Sequence, residues 1–218
     1  MIKPIVLIIL DGWGLAPPGP GNAISLAHLA AIPNAWNSYP HTELAASGEA
    51  VGLPTNEDGN TETGHINIGA GRVVYQDLPR INMAISDGSF FNNPAFEGAV
   101  TYAREHHSNI HLIGLLSDSG VHASREHLYA LLTLIKEHGA QNPVYLHLFT
   151  DGRDSSPNAG KRFVNEVEAK CTALGIGKIA TLMGRYYAMD RDRRWERTER
   201  AYKALTENIS RTSPTALA

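Results

Sequence analysis

Thr61 stands between Asn60 and Glu62 in the run Gly59-Asn60-Thr61-Glu62-Thr63-Gly64-His65-Ile66-Asn67-Ile68-Gly69-Ala70-Gly71-Arg72. An aliphatic hydroxyl becomes a useful nucleophile once a metal or a base lowers its pKa. Four glycines among these fourteen residues suit a backbone that turns tightly and lets a ligand come close. The run is too polar and glycine-rich to be expected as a core helix or strand. Upstream, Pro4-Ile5-Val6-Leu7-Ile8-Ile9-Leu10 reads as a buried strand running straight into Asp11-Gly12-Trp13-Gly14. A carboxylate at the carboxyl end of a strand lies where open α/β sheets place ligands. Asp11 and Thr61 together make half of a metal-assisted phosphoryl-transfer site. Taken singly, Thr61 reads as a helix N-cap and Asp11 as the start of an Asx-turn. Asn60 either holds a phosphoryl group or only forms a turn. Glu62 and His65 read as positional, although His65 has the chemistry of a metal ligand.

Two further groups of residues carry charge at useful places. Ser117-Asp118-Ser119-Gly120-Val121-His122 and Asp151-Gly152-Arg153-Asp154 each follow a strand pattern, so both belong to the carboxyl edge of a sheet. Arginine suits bidentate capture of carboxylate or phosphate, and Asp154 can move a proton on or off a hydroxyl. Residues 151–154 also fit a plain β-turn with solvated charges. Gly184 to Trp195 adds Arg185 and Arg191, while Arg193, Arg194 and Arg197 fit a solvated helix face. Glu105-His106-His107 with His111 is a rival metal cluster that straddles a helix-to-strand boundary. Cys171 falls on an apolar helix face and reads as inert core.

The elements that must position these residues alternate regularly from Asn109 onward. Ile110–Leu116, Val144–Phe149 and Ile179–Met183 read as short buried strands. Ser124 to His138 carries Leu128, Leu131, Leu132 and Ile135 at helical spacing, with Gly139 to end it. Ser156-Pro157 predicts the start of a helix with Phe163, Val167, Cys171 and Leu174 on one face and Gly175 after it. Trp195, Thr198, Tyr202 and Leu205 mark a last helix. This alternation predicts an α/β fold with a parallel-rich sheet. Nearer the start, Asn22 to Ile32 predicts a helix with Ile24, Ala27, Leu29 and Ala31 partly inward, and Thr42 to Ala46 a second strand. Gly19-Pro20-Gly21 lacks the third glycine of a dinucleotide fingerprint. The sequence shows no internal repeat or low-complexity tract.

With 218 residues, 43% hydrophobic, the chain suits one or two soluble domains. A net charge of −3 gives no general attraction to nucleic acid or anionic membrane. A single cysteine excludes an intrachain disulfide framework and fits a reducing compartment. The opening apolar run ends at Asp11, too short for a membrane span.

Asp11-Gly12-Trp13-Gly14, Gly59 to Arg72 and the following Val73-Val74-Tyr75-Gln76 resemble the cofactor-independent (2,3-bisphosphoglycerate-independent) phosphoglycerate mutases of the alkaline phosphatase superfamily. The resemblance implies an isomerase that interconverts 3- and 2-phosphoglycerate through a phosphoenzyme. It implies two divalent ions, manganese by preference with magnesium or cobalt as alternatives, and no 2,3-bisphosphoglycerate. Asp11 then matches a metal-binding aspartate. Thr61 stands where the family's phosphorylated, metal-bound serine falls, and its extra methyl restricts χ1. His122, Arg153, Arg185 and Arg191 match substrate-binding residues, and Asp154 a catalytic one. Ser119 and Ser124 stand where the family more often has glycine and histidine. The resemblance further implies a small-molecule substrate, no nucleic-acid or membrane partner, a monomer and a cytoplasmic location.

Members of that family are more than twice as long, with a transferase-like domain inserted into a split phosphatase-like domain. Residues 1–76 are expected to be the first phosphatase-like piece and 77–218 the insertion, cut short at its end. Ser213-Pro214-Thr215-Ala216-Leu217-Ala218 reads as a cap and one helical turn at which the sequence stops. The remaining metal ligands of the family lie in the part that would follow, so these residues alone are expected to be inactive. Two rivals stand beside this reading: another metal-dependent phosphatase or phosphomutase of the superfamily, and a non-catalytic binding or structural protein. Metal content and mutase turnover discriminate them.

Overall fold

The computed structural model describes residues 3–27, 29–139 and 142–207. The helical turn expected at Ser213 to Ala218 lies outside the described residues. In chain order the helices and strands are α1 (Ala23–Leu26), α2 (Ala31–Ser38), α3 (Thr61–Ala70), α4 (Asp77–Asp87), α5 (Pro94–Glu105), β1 (Ile110–Leu116), α6 (Arg125–Glu137), β2 (Val144–Thr150), α7 (Gly160–Leu174), β3 (Lys178–Gly184), α8 (Arg185–Ala188) and α9 (Trp195–Thr206). The chain divides into two units, Met1–Arg80 and Ile81–Ala218.

The second unit is a three-stranded sheet in the order β1-β2-β3, with both pairs parallel. Parallel neighbours cannot be joined by a hairpin, and α6 and α7 are the crossovers that connect them. Ser124 caps α6, its hydroxyl accepting from the Glu126 N–H at 3.3 Å. Gly175 ends α7 in the left-handed region at φ 73°. Leu132 and Leu134 of α6, Phe163, Val164 and Val167 of α7, and Leu116, Leu146 and Leu148 of the sheet are all buried in one core. Burial of side chains of this size contributes about 1.5–3 kcal/mol each, which is why apolar spacing alone sufficed to place these helices. Cys171 lies in the same core, where burial pushes its thiol pKa up. The helix expected from Ser156 starts later, because Ser156 to Ala159 form a turn, with the Ala159 N–H donating to the Ser156 carbonyl at 3.0 Å.

The sheet register carries one irregularity. Leu146 pairs with Ile179 but His147 pairs with Thr181, so Ala180 is an extra residue in β3. From there the strands stay in step, and Leu116, Thr150 and Gly184 end them level.

The first unit departs further from expectation. Pro4 to Leu10 forms no strand among the described residues, and Ile5 is 97% exposed. A strand exists only through its ladder, and no described segment pairs with this one, whatever its apolar content. Thr42 to Ala46 likewise carries no strand. The helix expected over Asn22 to Ile32 is two pieces, and only Ile24 of its four inward candidates is half-buried. Pro33 explains the break: proline is tolerated in a helix's first turn, so the backbone restarts at Ala31 to place it there. The glycine-rich run, expected to be irregular, folds as α3, closed by Gly71 at φ 63°. Asn67 fastens α3 on two sides, donating to the Val51 carbonyl at 2.9 Å and accepting from the Val74 N–H at 2.8 Å.

A polar row crosses the sheet of the second unit. His111 Nδ1 lies 2.9 Å from His147 Nε2, and His147 Nδ1 lies 2.9 Å from Thr181 Oγ1. Burial first, and His111 second, lower the His147 pKa. The unfolded chain therefore binds the proton more readily, and this contribution to stability is present above pH ~6.5 and lost as pH falls through the folded value. The melting temperature should fall between pH 7.5 and 5.5. His147→Gln should flatten part of that fall; His127, also lowered by burial, leaves a slope of the same sign. A pH profile of melting that His147→Gln leaves unchanged would show that the row does not titrate on unfolding.

Candidate active site

Two clusters of functional side chains are formed, one in each unit. In the first, Asn60 rather than Thr61 is the N-cap of α3, its Oδ1 accepting from the Thr63 N–H at 2.9 Å. Thr61 is left at the first helical position with its hydroxyl free, and Oγ1 donates to Asp11 Oδ2 at 2.6 Å across fifty residues of chain. The capping role open to Thr61 is thus taken by its neighbour. His65 Nδ1 lies 2.8 Å from the Thr61 carbonyl, which can only accept, so Nδ1 carries the proton and Nε2 is left as the acceptor. Glu62 sits exposed in the first turn, where negative charge is favourable. Gly59 brings the chain into α3 against Ala46 so closely that a Cβ would meet the Ala46 carbonyl oxygen at 1.7 Å.

The second cluster lies just beyond the three strand ends. Ser117, Asp151 and Arg185 each follow the last residue of β1, β2 and β3. Ser117 Oγ donates to Asp151 Oδ2 at 2.6 Å. Arg185 Nη1 donates to Asp151 Oδ1 at 2.5 Å and to Asp154 Oδ2 at 2.6 Å. The N–H groups of Arg153 and Asp154 both reach Asp151 Oδ1 at 3.1 Å. His122 Nε2 stands 3.6 Å from Asp154 Oδ2. Burial pushes the Asp151 carboxyl upward, but the bonds from Ser117, Arg185, Asp154 and Arg153 outweigh it and hold it well below the usual carboxylate range. Hydrogen bonds to Asp154 and Asp151 raise the Arg185 pKa further.

His122, Asp154 and Arg185 are therefore brought together. Arg153 and Arg191 are exposed and have no ion pair among the described residues. Arg197 is not a solvated side chain: it pairs with the buried Asp190 at 3.2 Å and lies 3.8 Å over the Tyr186 ring. Asp190 also accepts from the Arg194 N–H at 2.8 Å, which fixes the start of α9. The Glu105-His106-His107-His111 cluster is not assembled, since His106 binds the Tyr102 carbonyl and His111 binds His147. Among the described residues no three His, Cys, Asp or Glu side chains are placed to hold one metal ion. Ser117 and Asp151 open the two loop segments named in the sequence, but motif reading gave neither a role of its own. Their one sequence signal is position, immediately after a strand.

Residues 81–218 match the family described as BPG-independent PGAM N-terminus. The chain belongs to this family. It is 59% identical over 203 residues to a 2,3-bisphosphoglycerate-independent phosphoglycerate mutase of Moorella thermoacetica, covering 93% of this chain and 39% of that protein. A protein of the same name from Chloroflexus aurantiacus is 53% identical over 99% of this chain and 40% of its own length. The chain thus spans about two-fifths of the curated phosphoglycerate mutases it matches. Among solved structures, the phosphoglycerate mutase of Leishmania mexicana, determined at low cobalt concentration, superposes with a TM-score of 0.65 at 35% identity. That likeness covers 79% of this chain and 33% of the other.

Glycine substitutions test how the first cluster is held. Gly59→Ala should lower stability by about 1–3 kcal/mol, because backbone must move to admit the methyl. Gly69→Ala, in α3 with open space around its Cβ, should be neutral or gain about 0.5–1 kcal/mol. Urea denaturation of both variants checks this; equal effects would mean that the approach of Gly59 to Ala46 is not required.

Proposed function

We propose that this chain is part of a 2,3-bisphosphoglycerate-independent phosphoglycerate mutase that interconverts 3- and 2-phosphoglycerate through phosphorylated Thr61. The observation that carries the reading is the Thr61 hydroxyl resting on the Asp11 carboxylate at 2.6 Å. A hydroxyl freed from capping and paired with a carboxylate is a nucleophile in waiting, and no need of the helix accounts for it. Residues 1–76 serve as the first piece of the phosphatase-like, metal-binding domain and 77–218 as the transferase-like, substrate-binding insertion. The protein acts as a cytoplasmic monomer on a small-molecule substrate, and neither nucleic acid nor a membrane enters the reaction. No helix among the described residues is long and apolar enough to cross a membrane.

Asp11 and Thr61 offer two oxygen donors, which suits a hard divalent cation such as manganese or magnesium, and fits part of a site. Cobalt, named for the Leishmania mexicana structure, is a third candidate. A pair of such ions would supply Lewis acidity toward the hydroxyl and the phosphoryl oxygens. Asp11 holds Thr61 Oγ1 through the hydrogen bond that Oγ1 donates to it. The bond from phosphorus to the 3-oxygen breaks as the bond to Oγ1 forms; the Oγ1 proton passes to Asp11, and Asp154, protonated at the start of the cycle, gives its proton to the departing oxygen. Arg153, Arg185 and Arg191 then hold glycerate by its carboxylate while it reorients, with His122 beside Asp154. Asp154 next takes the proton of the 2-hydroxyl, which restores its starting state; that oxygen attacks phosphorus, and Thr61 is released as Asp11 returns the proton to Oγ1.

In a protein of the relatives' full length that carries these residues, Thr61→Ala should abolish turnover yet leave 3-phosphoglycerate affinity within about threefold, and Thr61→Ser should retain activity. Turnover persisting in Thr61→Ala, followed by coupled assay, would reduce Thr61 to a helix residue. Arg153→Ala should cost ~2–5 kcal/mol of affinity, whereas Asp154→Asn should depress kcat with little loss of affinity. Calorimetric titration and steady-state rates separate the two; unchanged affinity in Arg153→Ala would remove that residue from the site.

A further inference from the structure

We propose that Asp151, assisted by Ser117, is a positioning residue of the phosphoglycerate site: it sets Arg185 and the Arg153–Asp154 backbone for the anion without touching it. The proposal rests on the functional reading above. The Asp151 side chain is 0% exposed, against 19% for Asp154. Its four donors come from the ends of all three strands: Ser117 beyond β1, its own loop beyond β2, and Arg185 beyond β3. Three of these donors crowd Oδ1 and one takes Oδ2, and full burial keeps a ligand from the position that remains on Oδ2. It also carries the ligand's own sign. Any effect on anion binding must therefore pass through the groups it holds.

The two carboxylates on Arg185 differ in a way that assigns their roles. Both take the same atom, Nη1. Nη2 and Nε make no hydrogen bond among the described residues, which leaves one side of the guanidinium for a planar anion. Arg185 is itself only 11% exposed and needs a fixed counter-charge to stay ordered there. Asp151, buried and held by four donors, is that fixed partner. Asp154, more exposed and beside His122, is the exchangeable one, able to leave Arg185 when a ligand carboxylate or phosphate arrives and then free to move a proton.

The test uses the 218-residue chain in two measurements. Without ligand, Asp151→Asn should speed amide hydrogen exchange at Arg153 and Asp154 by about tenfold or more while leaving Leu146 and Val164 protected. With 3-phosphoglycerate, calorimetry should show affinity lowered about tenfold in Asp151→Asn, and no further loss when the same change is made in Arg185→Ala. Unchanged exchange, unchanged affinity, or the same loss in both backgrounds each overturn the proposal. Should Asp151→Asn fail to fold, Ser117→Ala removes one donor and should shift both readouts in the same direction. Should the unsubstituted chain not bind, the exchange measurement alone decides the role of Asp151, and the mutase reading stands or falls on the full-length variants above.

Discussion

The parallel register of three strands is the constraint on which the second unit depends. Because Leu116, Thr150 and Gly184 end level, the next residue of each strand meets the others at one edge. Side chains far apart in the chain become hydrogen-bonded neighbours with no loop rearrangement. The core behind the sheet enforces this, since a slip by one residue would turn Leu146 and Leu148 away from α6 and α7. Packing in the interior thus fixes chemistry at the rim. The charges at the rim in turn are tolerable only because each buried one has a partner there.

The first unit reaches its geometry by a different route. It has little apolar core among the described residues, Leu53 being its one buried large hydrophobic side chain. Polar side chains do the fastening: Asn60 caps α3, Asn67 ties it to two loops, and Gln76 Nε2 donates to the Thr63 hydroxyl at 3.4 Å. Asparagine side chains can donate and accept at once, which makes them suited to bracing loops against a helix. Hydrogen bonds of this kind are individually modest, each worth about 0.5–1.5 kcal/mol. Their value lies in direction, because Thr61 can reach Asp11 only if α3 begins where Asn60 starts it.

What the sequence made legible follows from which interactions are local. The apolar spacing of Leu128, Leu131, Leu132 and Ile135 lies within one helix, and it located α6 to within a residue of each end. The runs 110–116, 144–149 and 179–183 were legible as strands because buried parallel strands are continuous apolar segments. Pro4 to Leu10 has the same composition, but its pairing is not local, and composition could not say whether a partner was present. The glycine-rich run misled for the opposite reason. A capping asparagine and tertiary ties outweighed poor helix propensity in α3. Thr61, Asp154, Arg185 and His122 came from motif resemblance, which preserves identity and spacing. Asp151 and Ser117 could not be read that way, because their significance exists only once strands 34 residues apart are laid side by side.

The extra residue in β3 has a consequence for how the rim can change. Carried on unbroken from Leu146 and Ile179, the register would set Gly184 beside Asp151; Ala180 puts Arg185 there instead. The alignment of guanidinium and carboxylate is therefore quantised. Insertion or deletion moves it only in whole steps of about 3.3 Å, the rise of one strand residue, so no intermediate setting exists along the strand. Finer adjustment has to come from side-chain torsions at the rim. The same residue also resets the strand's phase, so that Ile179 and Leu182, three apart, both reach the core. In β3 the spacing normally taken as a mark of helix is the imprint of a bulge.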